Sequence, residues 1–280
     1  MPGERCDLHV HSRYSTDSGN FALRRARLGE SYTDPLRVYE TCRARGMRFV
    51  TITDHNTVEG ALRIAHLPDT FLSVEVTTRF PEDDLPLHVL VWNLSEEDHR
   101  DLQAYRSSVY ELCAFLDERG LVHALAHPLY RMGPPITRSH IERLLLLFPV
   151  WEGRNGARPE PHNDAACRIA AGASRASLEA MANLHAIAPR HAAVALCGGS
   201  DDHGALDLGT TWSEAAGETI TDFLAEVGAG RCTFGGAHGS VEKLAHAMLS
   251  LFVNAYRETG GTLSPAAAET ISSVLDSTEL

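Results

Sequence analysis

Short apolar, β-branched stretches alternate with longer stretches of helical period along almost the whole chain. The first kind predicts strands at 6–11, 49–53, 71–77, 88–93, 122–126, 150–153, 193–198 and 231–234. The second predicts helices. Asp34-Pro35 offers an N-cap followed by proline at the first helical position, with Gly46 as the stop. Ser95-Glu96-Glu97-Asp98 has the form of a capping box and opens a helix ending near Gly120. Residues 137–148, 163–187, 221–227 and 240–258 also read as helical. Strands taking turns with helices favour a parallel sheet, open or closed into a barrel. No repeat or low-complexity linker interrupts the pattern. One domain over 1–260 is therefore expected, with 261–280 a tail that either forms a final helix or frays.

Composition narrows the class. A 280-residue chain with 44% hydrophobic and 22% charged residues can bury a sizeable core. The formal net charge of -12 argues against a basic nucleic-acid footprint, leaving at most mononucleotides or short oligonucleotides as nucleic-acid ligands. The six cysteines are scattered without a C-x-x-C pair, which suits reduced thiols better than a disulfide framework. A candidate ligand as early as His9 leaves no room for a leader peptide, and no apolar run approaches the length of a membrane span. The expected setting is cytoplasmic and membrane-free.

Candidate chemistry begins with Asp7-Leu8-His9-Val10-His11, where polar residues alternate with apolar ones at strand period. Two imidazoles two residues apart on one strand face can grip one metal ion. A lone pair of this kind is weak, but His55, Glu75, His127, Asp201 and His203 each follow or end a predicted strand. His88 stands apart, because it begins one. Active sites of barrels and open α/β sheets gather at the carboxyl ends of strands, so these residues would converge on one mouth. Imidazole with carboxylate and no cysteine suits Mn, Fe or Zn rather than a closed structural zinc site. Too many ligands are present for one ion, so two or three divalent ions are expected. A carboxylate such as Glu75 could bridge two of them. Asp7 and Asp54 read as acceptors that orient imidazoles.

In combination, Asp7-Leu8-His9-Val10-His11-Ser12-Arg13-Tyr14-Ser15-Thr16-Asp17, Thr53-Asp54-His55-Asn56, Val74-Glu75-Val76-Thr77, Ala126-His127-Pro128 and Gly199-Ser200-Asp201-Asp202-His203 resemble the PHP (polymerase and histidinol phosphatase) family. The resemblance covers residues 7 to about 240. It implies a distorted, TIM-like (β/α)7 barrel that hydrolyses phosphoesters at a two- or three-metal cluster. Carried over position by position, it implies a first metal on His9, His11, Glu75 and Asp201. A second would be shared by Glu75 with His88 and His127, and a third held by Asp17, His55 and His203. Asp17 stands where some members have histidine, and the Cys-Pro-His stretch of histidinol phosphatases is absent, which argues against histidinol phosphate as substrate.

The expected reaction is attack of a metal-bound hydroxide on the phosphorus of a small phosphorylated substrate, a monoester or a small diester. Glu75 and Asp201 would serve as catalytic carboxylates. Arg131 and Arg154, whose planar forks match phosphate oxygens, would bind the anion. Asn155, His162 and His238 are lesser candidates, and Asp201 or a neighbouring histidine could protonate the leaving oxygen. Two other readings are open: amide or lactone hydrolysis by the same cluster, and a non-catalytic metal-binding scaffold.

Overall fold

A computed structural model describes residues 3–15 and 30–258. Among them, two mixed sheets form the framework. The smaller has the order β2-β1-β8-β9, from β1 (Glu4–Asp7), β2 (Phe49–Val50), β8 (Thr211–Ala215) and β9 (Cys232–Gly236). The larger runs β3-β4-β5-β6-β7, from β3 (Ser73–Arg79), β4 (Pro86–Trp92), β5 (Val122–Leu125), β6 (Val150–Asn155) and β7 (Ala195–Gly199). The expectation of a purely parallel sheet is corrected here. β4 pairs antiparallel with both β3 and β5, and β8 with both β1 and β9. Among the described residues, no continuous ladder closes a ring either. Single parallel bridges, Val50 to Thr70 and His55 to Glu75 on one side and Val10 to Asp202 on the other, link the two sheets.

The helices arise where capping chemistry marks them. α1 (Pro35–Ala44) starts at Asp34, whose side chain accepts from the Leu36 N–H. α2 (Glu59–Ile64) is a short helix absent from the sequence expectation. The Ser95/Asp98 capping box forms and opens α3 (Glu96–Leu102), but Ser108 caps a separate helix, α4 (Val109–Glu118), so the single helix expected to reach Gly120 is two. α5 (Arg138–Leu147) is as expected. The long helix expected over 163–187 divides at Gly172 into α6 (Glu160–Ala171) and α7 (Arg175–His185), with Ser174 capping the second. α8 (Ile220–Gly228) and α9 (Val241–Glu258) complete the described set. Residues 261–280 lie outside it.

Alternation along the larger sheet sorts side chains onto two faces. Val74, Val76, Val89, Val91 and Trp151 pack outward against α4 and α5 through Leu112, Leu116 and Leu144. Leu90, Trp92, Ala124, Val150 and Cys197 face the other way, where they meet Cys6, Leu8 and Phe49 of the smaller sheet. Phe223, Leu224 and Val227 of α8 close this second cluster at one end. The Trp92 indole N–H donates to the Leu8 carbonyl at 2.9 Å, tying the sheets across the interior. What remains at the other end is polar and buried.

Candidate metal centre

That end is formed by the residues just past β1, β2, β5 and β7, together with β3 and the start of β4. The tail of β1 carries His9 and His11, and the tail of β7 carries Asp201 and His203. Backbone bonds lock the two together: Asp201 N–H donates to the His9 carbonyl at 2.7 Å and His11 N–H to the Asp202 carbonyl at 3.2 Å. Gly199 makes this approach possible, since a Cβ there would lie 2.6 Å from the His9 nitrogen. His55 pairs with Glu75 through the bridge at the other seam, and Asn56 N–H donates to the Glu75 carbonyl at 2.9 Å. His88 had stood apart as a ligand at a strand's beginning. Because β4 runs antiparallel to β3, its beginning faces the same end, two positions in register from Glu75.

Glu75 is at the centre. Its Oε2 lies 3.2 Å from His9 Nε2, 3.1 Å from His11 Nε2 and 3.2 Å from His55 Nδ1. Its Oε1 lies 2.9 Å from His88 Nδ1 and 3.1 Å from His127 Nε2. Asp201 Oδ1 faces His9, His11 and His203 at 3.4–3.5 Å. Donor atoms of His9, His11 and Asp201, of His9, Glu75 and His127, of His55, Glu75 and His88, and of His11, His55 and His203 each lie within 4.8 Å of one another. Several of these atoms are buried without a hydrogen bond, namely both ring nitrogens of His88, Nδ1 of His55 and Nε2 of His203. A buried imidazole normally finds a partner, and a divalent cation is a partner that suits this donor set. The residues therefore fit a metal cluster.

Supporting contacts aim these side chains. Glu152 Oε1 accepts from His9 Nδ1 at 3.0 Å, leaving Nε2 to face inward, while Oε2 accepts from the His127 N–H and the Asn155 amide, both at 2.8 Å. Asn155 also donates to Asp201 Oδ2 at 3.0 Å. Ser15 Oγ accepts from His55 N–H and lies 3.1 Å from His11 Nδ1. Asp7 and Asp54 orient backbone rather than imidazoles: Asp7 accepts from the Ser200 and Gly209 N–H groups, and Asp54 from the Ser12 N–H and hydroxyl. His127 (φ 29°) and Asp201 (φ 52°) hold left-handed backbone that disfavours non-glycine residues, strain of a kind that collects at functional sites.

The charge balance is that of a cation site. Burial alone would raise Glu75, but His55, His9 and His88 hold it well below the ordinary carboxylate range. Asp201 is likewise buried and likewise held low, by His9 and Arg158. Burial would lower His11, yet its bonds to Asp201 and Glu75 raise it to about 10; burial would lower His9 too, but the charges of Glu75, Asp201 and Glu152 raise it well above the ordinary imidazole range. Asp7, with no cation of its own, is pushed by burial up to about 7.

Outside the cluster opens a cavity of about 310 Å³ lined by Glu30, His55, His88, His127 and His203 on one side. Its cationic lining is Arg131, Arg158 and Lys243, and its apolar lining includes Met132 and, from α9, Leu244, Met248 and Leu251. Arg158 Nη2 donates to Asp201 Oδ2 at 3.1 Å, and its guanidinium lies 3.6 Å over the Tyr130 ring. Arg131 lines the cavity, whereas Arg154 donates to the Gly236 carbonyl and stands near Phe234, outside that lining. Asp17 lies outside the described residues. Three side chains at this end escaped the sequence reading: Glu30, Glu152 and Arg158. Only Glu152 had a usable signal, its alternation with Val150 on the interior face of β6. His162 and His238 stay off the cavity.

No protein-family model matches the chain. An uncharacterised protein of Methanocaldococcus jannaschii is 32% identical over 72 residues, 26% of this chain and 40% of the relative's length. The match thus spans about two fifths of that relative. Among solved structures, a two-domain protein of Bacteroides vulgatus containing a predicted PHP-like metal-dependent phosphoesterase superposes with a TM-score of 0.54 and 13% identity. That superposition covers 90% of this chain and 70% of the other. PsfC of Pseudomonas syringae PB-5123 gives 0.52 and 14% identity over 92% of this chain and 99% of its own. At these identities the likeness is one of fold. The chain shares the α/β fold of a PHP-like protein.

Proposed function

We propose that this chain is a metal-dependent phosphoesterase acting on a small phosphorylated substrate. The observation that carries the reading is Glu75, whose two oxygens divide five buried imidazoles into two groups. His9, His11, Glu75 and Asp201 would hold one ion, and Glu75, His88 and His127 a second. Mn, Fe or Zn all suit this donor set. Bound ions would supply Lewis acidity and a water acidic enough to act as a nucleophile at neutral pH. The (β/α)7 reading of the fold belongs here too: β1 to β7 would follow one another around a distorted ring, supported at its seams by the isolated bridges Val50 to Thr70, His55 to Glu75 and Val10 to Asp202.

The chain's own contribution is placement. Arg158, pinned by Asp201 beneath and Tyr130 beside it, would hold a phosphate oxygen against the cluster, with Arg131 and Lys243 at the rim. Asp201, whose Oδ1 faces His9, His11 and His203, would serve as a ligand rather than as a proton donor. Met132, Leu244, Met248 and Leu251 would shield the site from water and favour an apolar leaving group. The cations beside the cluster support phosphorus over an amide or lactone carbonyl. Assays with p-nitrophenyl phosphate and its bis ester in Mn²⁺ test this. Cleavage of either supports the reading and ranks monoester against diester; cleavage of neither, with turnover of a carboxylic ester or amide panel, would overturn it.

A further inference from the structure

The geometry points to Glu30 as a further carboxylate ligand of the third metal position, the one the resemblance gives to Asp17, His55 and His203, an inference that rests on the cluster proposed above. Glu30 stands just ahead of α1, far in sequence from both histidines, with its side chain 12% exposed. Its two oxygens part company: Oε2 is 3.3 Å from His55 Nε2 and Oε1 is 3.4 Å from His203 Nε2. Two ligands each about 2.1 Å from one tetrahedral ion lie about 3.4 Å apart. Among the described residues, no hydrogen-bond donor reaches Glu30 Oε2, and His203 Nε2 has no hydrogen bond.

Proton counting makes a cation the economical occupant. His203 Nδ1 lies 3.0 Å from the Asp201 carbonyl, which can only accept, so the ring's neutral proton belongs on Nδ1. Nε2 then turns a lone pair toward a carboxylate. His55 has the same difficulty, since Nδ1 faces Glu75 and Nε2 faces Glu30 while a neutral imidazole carries one proton. A divalent ion between Glu30, His55 and His203 satisfies both rings at once. His11 contributes a donor atom within 4.8 Å of the two histidines. Glu30, His55 and His203 also line the cavity. The third ion would thus border the cavity, beside the ions on Glu75, His88, His127 and Asp201.

The test is metal content by plasma mass spectrometry after Mn²⁺ loading and dialysis, for the wild type, Glu30→Gln and Glu30→Ala. Circular dichroism verifies that each variant is folded. The expected result is three equivalents per chain in the wild type and two in both folded variants. Variants that keep three equivalents, or a wild type holding only two, would overturn the role of Glu30. A folded wild type that binds no metal would instead overturn the cluster itself, and the two failures are told apart by the wild-type value alone.

Discussion

Glu75 bears the heaviest load of any side chain. It is fully buried, and five imidazoles approach its two oxygens, so it can be neither shortened nor neutralised without loss. Residues that merely orient metal ligands cost 10–100-fold when removed. Glu75→Gln is therefore expected to lower turnover by at least about a hundredfold and to reduce bound metal while the fold persists. Metal analysis beside the kinetics checks this, and full metal content with normal turnover would contradict the bridging role. Arg158 allows a sharper comparison, because a second arginine provides the control. A hydrogen bond to a charged group contributes about 1.5–3 kcal/mol, or roughly 10–150-fold in kcat/KM. Arg158→Met should lose that much, whereas Arg154→Met, whose guanidinium is spent on the Gly236 carbonyl, should stay near wild type. Equal losses in both variants would count against Arg158 as the phosphate contact.

Among the elements, the seam between β1 and β7 decides whether the ligands meet. Their tails run so close that only glycine fits at 199, where a Cβ would come within 2.5 Å of the His9 Cβ. Crowding of this sort costs about 1–3 kcal/mol. Gly199→Ala is expected to lower the melting temperature and to shed metal together, because the strand it displaces carries His9 and His11. A melting temperature lowered with metal fully retained would separate the seam from the site. β4 makes the complementary point. Its antiparallel course turns His88 from a residue at the wrong end of a strand into one at the right end. β8, which escaped the sequence reading, buries Thr211, Ser213 and Ala215 and supplies the Ser213 hydroxyl that braces Gly198.

Across the molecule, the polar end is the part that a bound cation would stabilise. Buried carboxylates and imidazoles without a cation must share protons, which is a weaker solution than a divalent ion. A ligand at a hundred times its Kd adds about 2.7 kcal/mol to folding, a shift of about 5–10 °C for a domain of this size. Chelation should lower the melting temperature by that order, and Mn²⁺ should restore it. The effect has a pH sign. His11 is raised to about 10 in the metal-free protein, so at pH 7 its ring is protonated and the ion must displace that proton. Affinity should therefore climb as pH rises toward about 10 and fall below neutrality. Calorimetry in buffers of different ionisation enthalpy would register the proton released, and pH-independent binding would contradict the assignment. No helix among the described residues is long and apolar enough to cross a membrane.

How much of this was legible beforehand depends on how each residue signals itself. His9, His11, His55, His127, Asp201 and His203 stand in short motifs at or just past strand ends and Glu75 on a strand, and strands are local features of apolar patterning, so the chain alone marks them as one set. Capping at Asp34 and Ser95 is equally local, and the helices begin where those side chains say. Strand direction is not local. Nothing in residues 86–92 declares that they run against β3, so His88 looked misplaced and the sheets looked parallel. Glu30, Glu152 and Arg158 carry no motif because their contacts reach residues distant in the sequence, and distance along the chain hides such contacts. The sequence alone could name the kind of chemistry, since donor types and periodicity suffice for that. Which carboxylates face which imidazoles, and which arginine faces the cavity, was left to the packing of two sheets against each other, because only that packing sets the distances.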